Sequence, residues 1–149
     1  MEVLPIRIGI STCLLGERVR YDGNHKRDGY IIETLGQWFE FRPLCPEVAI
    51  GMGVPRPPIR LEGDPEHPRA VGVEDRSLDV TGRLERFSRE AARELDDLSG
   101  YILKSKSPSC GMERVKVYRK GAPARSGTGV FARALMDARR TAVVSLRST

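Results

Sequence analysis

The chain alternates short strand patterns with helical patterns, and this alternation limits its possible folds more than any other feature. Short β-branched runs ended by polar turns predict strands, and apolar residues at helical spacing predict the helices between them. The strand patterns are "IRIGIS", "FRPLC", "GYILKS" and "TAVVSLR", and the helical patterns are "RDGYIIETLGQWFE", "DVTGRLERFSREAARELDDL" and "GTGVFARALMDARR". Right-handed crossovers place such helices over the faces of a parallel sheet. We therefore predict an α/β fold with three layers and a mostly parallel sheet.

The segment 46–80 interrupts the alternation with a high density of proline and glycine. Its composition predicts a loop followed by one or two short strands, around 59–61 and 70–73. A connection of this length is often functional. We interpret it as a short β segment inserted into the parallel fold, and we expect residues 1–149 to form one domain, since 149 residues with 40 % hydrophobic content suffice for one core.

Composition and charge exclude some classes of protein but identify no partner. No apolar run is long enough to span a bilayer, and "MEVLPIRIGI" lacks the features of a secretory signal. We therefore predict a cytoplasmic protein without a membrane partner. The net charge of +5 is modest, and many arginines alternate with acids along predicted helix faces. An aromatic content of 6 %, without an aromatic-interleaved basic motif, argues against single-stranded RNA binding.

The cysteines lie far apart in sequence, at Cys13, Cys45 and Cys110, and each follows a predicted strand closely. An odd number of widely spaced cysteines favours free thiols or metal ligation over a disulfide framework. Because the carboxyl ends of parallel strands share one edge of the sheet, we expect the three thiols to meet there. Core packing is the alternative for any single cysteine. Three cysteines on one edge instead indicate a ligand set.

The residue types leave several assignments open. Structural zinc takes four protein ligands, commonly from close CxxC-type pairs, and no such pair occurs. We expect the two histidines, His25 and His67, to be surface loop residues. An iron-sulfur cluster tolerates widely separated cysteines, and three of them would leave one iron of a 4Fe-4S cluster without a protein ligand. A thiol enzyme without a cluster, and a cluster- or zinc-bearing RNA-binding or sensor protein, remain as alternatives.

Four separated motifs resemble the thiouracil desulfidase (TudS-type) family, formerly a domain of unknown function. They are "STCLLGERVRYDGNHK", "CPEVAIGMGVPRPPIRL", "ILKSKSPSCG" and "GTGVFARAL", in that order over nearly the whole chain. The resemblance implies a Rossmann-like α/β domain, a 4Fe-4S cluster held by three cysteines, and non-redox removal of sulfur from thiolated uracil. Some relatives carry an additional domain and act on thionucleosides or transfer RNA. With no dedicated RNA domain recognised, we expect a small thiolated pyrimidine as partner, with a thionucleoside or thiolated tRNA as further options.

The resemblance assigns roles to individual residues. Cys13, Cys45 and Cys110 match the cluster ligands, and Glu47 of "CPE" matches the family's acidic residue, which would act as the base. An acid in the first turn of a helix is its plainer interpretation. Ser107 matches the family's serine near the third ligand and would be the second catalytic residue, although Ser105 and Ser109 lie close enough for a shift of register.

Five residues are expected to bind substrate: Ser11, Asp22, Lys26, Arg56 and Ser109. Asp22 and Lys26 lie in "RYDGNHK", which is also typical of an ordinary turn. Arg56 of "VPRPP" could hold the pyrimidine or an attached phosphate, or it could belong to a rigid surface segment. Ser109 could hydrogen-bond the substrate or the attacking water.

Overall fold

A four-stranded parallel sheet, here called sheet A, carries the strands that were predicted from the alternation. The structure is a computed structural model that describes residues 6–15, 29, 33–94, 97–138 and 142–146. Sheet A contains β1 (Ile6–Ser11), β2 (Phe39–Leu44), β5 (Gly100–Lys104) and β8 (Ala142–Leu146) in the order β2-β1-β5-β8. Every neighbouring pair is parallel. The predicted α/β class and parallel sheet are therefore confirmed, and they are compatible with a Rossmann-like arrangement.

The inserted β segment belongs to a second four-stranded sheet, here called sheet B. It contains β3 (Ile59–Glu62), β4 (Arg69–Gly72), β6 (Val115–Arg119) and β7 (Ala122–Gly127) in the order β4-β3-β6-β7. β3 and β4 are the two short strands predicted in the proline-rich segment. The hairpin of β6 and β7 was not predicted, and it turns the expected short insertion into a full mixed sheet.

Two of the helical patterns form helices, with shorter bounds than the patterns suggest. α2 spans Thr81–Glu94 and α3 spans Val130–Ala138. α1 is a single turn, Pro46–Ala49, that follows β2. Part of the pattern at 27–40 lies outside the described residues, and its described part contains a 3-10 turn, Leu35–Gln37. Its last two residues were wrongly predicted as helix, because β2 begins at Phe39.

The helix α2 contributes to the cores of both sheets. Leu84 packs with Val115 and Val117 of sheet B, whereas Ala91 packs with Leu103 of sheet A. The opposite face of sheet A has its own apolar cluster, which includes Ile10, Leu14 and Ile102. Leu35 of the 3-10 turn Leu35–Gln37 packs against this cluster.

None of the helices within the described ranges is long and apolar enough to cross a membrane.

Candidate active site

A cavity of about 420 Å³ opens at the carboxyl edge of sheet A. Its walls are the segments that leave three strands, together with the start of β3. The lining residues lie in the segments 11–13, 44–47, 58–59 and 104–108, with Arg56 and Cys110. All three cysteines therefore reach one cavity, as their positions after parallel strands predicted.

Each cysteine is held by a different local structure. Cys13 lies in a 3-10 turn, Thr12–Leu15, that directly follows β1. Cys45 follows β2 in extended conformation and precedes α1, whose first residue, Pro46, suits a helix start. Cys110 lies six residues beyond β5 and is 5 % exposed. In the described residues all three thiols are free of disulfides.

The surroundings of Cys45 and Cys110 disfavour the deprotonated form of each thiol unless a positive charge lies beside it. Burial raises the pKa of the Cys45 thiol, although Arg56 opposes this rise. The pKa of Cys110 is raised far above its ordinary value, first by burial and then by the nearby Cys45, Glu47 and Cys13. Several acids thus crowd one buried site. A bound metal group would supply the missing positive charge and deprotonate the thiols, as metal coordination does.

Glu47 joins two walls of the cavity. It is the second residue of α1 and is only 9 % exposed. Its Oε1 atom accepts a hydrogen bond from Arg56 Nε at 3.1 Å, and its Oε2 atom accepts one from Ser109 Oγ at 2.9 Å. The carboxylate is therefore fixed to the loop that carries Cys110.

The serines near Cys110 have separate structural tasks. Ser107 Oγ accepts hydrogen bonds from the backbone N–H groups of Ser109 and Cys110, both at 3.1 Å, so it shapes the turn that presents the third cysteine. Ser11 Oγ accepts the N–H of Lys104 at 2.9 Å and also hydrogen-bonds Cys110. The buried hydroxyl of Ser105 has no partner among the described residues.

The amino end of α3 supports the same loop from behind. The N–H groups of Val130 and Phe131 donate to the carbonyl oxygens of Pro108 and Ser109 at 3.0 and 2.8 Å. The N–H of Gly129 in the "GTG" segment likewise donates to the Gly111 carbonyl, at 2.7 Å. Thr128 donates its hydroxyl to the Met112 carbonyl at 3.1 Å.

The remaining predicted site residues fall into two groups. Arg56 lines the cavity, but its side chain is 4 % exposed, so the alternative of a surface Pro-Arg-Pro segment is wrong. Asp22, Lys26 and His25 lie outside the described residues. His67 is exposed in a turn away from the cavity, as expected.

Sequence reasoning missed two cations in the cavity wall, Lys104 and Lys106. Lys106 adopts a positive φ of 67°, which is uncommon for a residue other than glycine. Their position at and just beyond the end of β5 could have indicated that they belong to the site, because sites in parallel sheets lie at the carboxyl ends of the strands. Both were overlooked in favour of the serines that alternate with them.

The side chains around the cavity fit the cluster that the sequence motifs imply. Among the described residues, no three His, Cys, Asp or Glu side chains converge on a single metal ion. A 4Fe-4S cluster does not need side chains that converge on a single ion, because its cysteines bind different irons. The cavity brings together three thiols and the cations Arg56, Lys104 and Lys106, which suit an anionic group. The Ser105 hydroxyl also lacks an acceptor that cluster sulfur could provide.

Comparisons with known proteins identify the family of this chain. A solved structure described as a 4Fe-4S-dependent thiouracil desulfidase, TudS, is 32 % identical to this chain, with a TM-score of 0.74. The alignment covers 94 % of this chain and 90 % of that one. No curated protein sequence gives a match. A family model described as 2-thiouracil desulfurase matches residues 8–145. The chain therefore belongs to the 2-thiouracil desulfurase family.

Proposed function

We propose that this protein is a 4Fe-4S-dependent desulfidase that hydrolyses the C=S group of a thiolated uracil. The observation that carries the proposal is the convergence of three cysteines and a buried carboxylate on one cavity. Family membership and the similarity to TudS support the same activity. The reaction exchanges sulfur for the oxygen of water and releases hydrogen sulfide. Carbon keeps its oxidation level, so no electron donor is needed.

Cys13, Cys45 and Cys110 would hold the cluster. When bound, a three-cysteine cluster would supply one iron without a protein ligand, and this Lewis acid would polarise the C=S bond. The thiols lie on walls built from three separate strand ends, and the start of β3 contributes a further wall.

Glu47 would act as the general base that takes a proton from the attacking water. Its carboxylate faces the cavity that contains the thiols and is held at both oxygens by Arg56 and Ser109. A positioned base of this kind contributes about 10²–10⁴-fold to rate. Ser109 would orient this carboxylate and the water beside it.

Ser107 and Ser11 would contact the substrate from the loop side. The oxygen of Ser107 accepts two backbone N–H groups, and its own proton remains able to donate to a ring carbonyl. Ser11 lines the same wall and hydrogen-bonds Cys110. Asp22 and Lys26 stay in the proposal as substrate-binding residues on the strength of their motif.

The substrate range would be set beside this cavity. A second cavity of about 390 Å³ shares Ile59, Lys106 and Pro108 with the first, and it is lined by Arg60, Arg114 and Lys116 among others. These cations favour an anionic extension of the pyrimidine. Comparing 2-thiouracil with its nucleoside and nucleoside monophosphate tests this point. A thiolated tRNA is the larger option.

The cellular setting follows from the same chemistry. We propose that residues 1–149 act as one domain, supported by the way that α2 packs into both cores. Free thiols suit the reducing cytoplasm, which is where we place the protein.

Anaerobic reconstitution tests the proposed function. The protein is incubated with iron and sulfide, after which iron and labile sulfide are counted, the visible spectrum is recorded, and uracil and sulfide released from 2-thiouracil are measured. We expect about four irons per chain and turnover without a redox partner. Cys110→Ala should lose iron and activity together.

Two variants separate the base from the cluster. Glu47→Gln should keep the iron and lose most turnover, whereas Glu62→Gln, which changes an arginine-paired carboxylate outside the cavity, should keep both. Turnover without iron would favour a thiol enzyme. A full cluster that is indifferent to all three cysteines would refute the ligand assignment.

A further inference from the structure

The guanidinium group of Arg56 is enclosed by protein and directed at three separate acceptors. Its Nε atom donates to Glu47 Oε1 at 3.1 Å, and its Nη1 atom donates to the Gly53 carbonyl at 3.1 Å. Its Nη2 atom lies 3.9 Å from the sulfur of Cys45. The side chain is 4 % exposed. The group therefore connects the proposed base with a proposed cluster ligand.

The loop between α1 and β3 brings Arg56 back over the residues that precede it. Gly51 and Gly53 have φ values of 89° and 83°, a region that favours glycine, so the chain can reverse after α1. This reversal places Arg56 above residues nine and eleven positions earlier in the chain. The contacts of Arg56 are thus built into the fold.

A substrate-binding arginine would present its N–H groups to the open cavity. Here three of the guanidinium nitrogens are directed at protein acceptors instead. A planar fork that matches three acceptors is the geometry in which arginine orients other groups. A role in substrate binding does not explain why the same guanidinium group also contacts Gly53 and Cys45.

We propose that Arg56 is a positioning residue, which orients the carboxylate of Glu47 and places a fixed positive charge beside the sulfur of Cys45. The inference rests on the proposed function and adds to it a role for a group outside the reacting atoms. Hydrogen bonds and charges near cluster sulfurs set the reduction potential of an iron-sulfur cluster. Arg56 therefore affects both the base and the cluster.

Two substitutions separate the functions of the fork and of the charge. Arg56→Gln removes the cation and part of the fork. Arg56→Lys retains a cation but offers one nitrogen, which cannot reach three acceptors that lie in different directions. Arg76→Gln is the matched control, because Arg76 also pairs with a carboxylate, Glu62, but lies outside the cavity.

The experiment uses full-length reconstituted protein with 2-thiouracil as substrate. Kinetic constants are measured together with the reduction potential of the cluster, and only preparations that contain the wild-type amount of iron are compared. We expect kcat to fall about 10–100-fold in both Arg56 variants, as for other residues that orient active groups, with KM little changed. The potential should shift to more negative values in Arg56→Gln, and much less in Arg56→Lys.

The outcomes are distinct. A raised KM with unchanged kcat would overturn the proposal and return Arg56 to substrate binding. Wild-type kcat and potential in both variants would overturn it as well. If Arg56→Gln binds too little iron, Arg56→Lys still tests the proposal through the kcat and KM values. Failure of the wild-type protein to bind iron or turn over would instead refute the proposed function.

Discussion

Replacing Gly129 by alanine should disturb the third cysteine from behind, without changing any group in the cavity. An added Cβ at this position would lie 2.6 Å from both the carbonyl carbon and the oxygen of Ser109, and 2.9 Å from the nitrogen of Cys110. These are backbone atoms, so no side chain can rotate away. The amino end of α3 and the cysteine loop would have to separate.

The cost can be worked out from these contacts. Overfilling a packed site costs about 1–3 kcal/mol, and weakening the hydrogen bonds from the amides of α3 to the loop adds about 1 kcal/mol for each bond lost. We therefore expect Gly129→Ala to lower the free energy of unfolding by about 2–4 kcal/mol. For a chain of this length, each kcal/mol lowers the melting temperature by about 2–4 °C.

Gly82→Ala is the matched control. Gly82 lies near the start of α2, and an added Cβ there meets nothing within 4 Å. The same substitution should therefore stabilise the protein, by about 0.4–1 kcal/mol, because alanine restricts the unfolded chain. Denaturant unfolding followed by circular dichroism measures both variants, and iron content after reconstitution reports the loop. Equal stabilities for the Gly129→Ala and wild-type proteins would refute the packing argument.

Three further predictions concern the loop that carries Cys110, the stability of the fold at acidic pH, and the hydrophobic core. Ser107→Ala should destabilise the protein by about 1 kcal/mol in denaturant unfolding, because two backbone N–H groups lose their acceptor. Glu62, whose pKa is lowered to about 2 chiefly by its hydrogen bonds from Arg76, should stabilise the fold above pH 4.5 and lose this contribution as pH falls toward 2. Unfolding of the cluster-free protein across that range should therefore show a weaker pH dependence in Glu62→Gln. Phe131→Ala should cost about 3–5 kcal/mol by calorimetry, since Phe131 is 1 % exposed and packs in the same core as Cys110.

Most of sheet A could be predicted because its signals are local. Buried parallel strands have sequences that are short, apolar and rich in β-branched residues. The helix patterns between them leave few alternative topologies. The strand "GYILKS" and the structure's β5, Gly100–Lys104, agree to within one residue. The shared edge of such a sheet also follows from topology alone, so the cavity that holds the cysteines was predictable.

The hairpin of β6 and β7 gave a weak signal for physical reasons. Val115 and Val117 alternate with a cation, as in a half-buried strand, but the partner strand contains Pro123 and ends in glycine. Proline is tolerated there because β7 is an edge strand. The turn between these strands contains Lys120 and Gly121, which both adopt positive φ, with values of 53° and 80°. The glycine is a sequence signal for such a turn, but lysine is unusual in that conformation, so the sequence indicates the turn only weakly.

The contacts of Arg56 could not be predicted, because they depend on the path of a whole loop. The sequence shows an arginine between prolines, and both a surface spacer and a substrate-binding residue fit that pattern. Its burial against Glu47 is decided by how the loop reverses and by where Cys45 lies after β2. Neither fact is present in any short window of residues.

The position of the proposed base relative to the third cysteine is set by the loop and not by the substrate. Glu47 is hydrogen-bonded to Ser109, which immediately precedes Cys110, and α3 holds Pro108 and Ser109 through its backbone amides. A displacement of α3 would therefore move the carboxylate and the thiol together, which preserves their separation but alters their relation to Cys13 and Cys45. Gly129→Ala should accordingly impair iron binding more than Glu47→Gln does, although it changes no group that lines the cavity. This difference separates a damaged ligand set from a missing base.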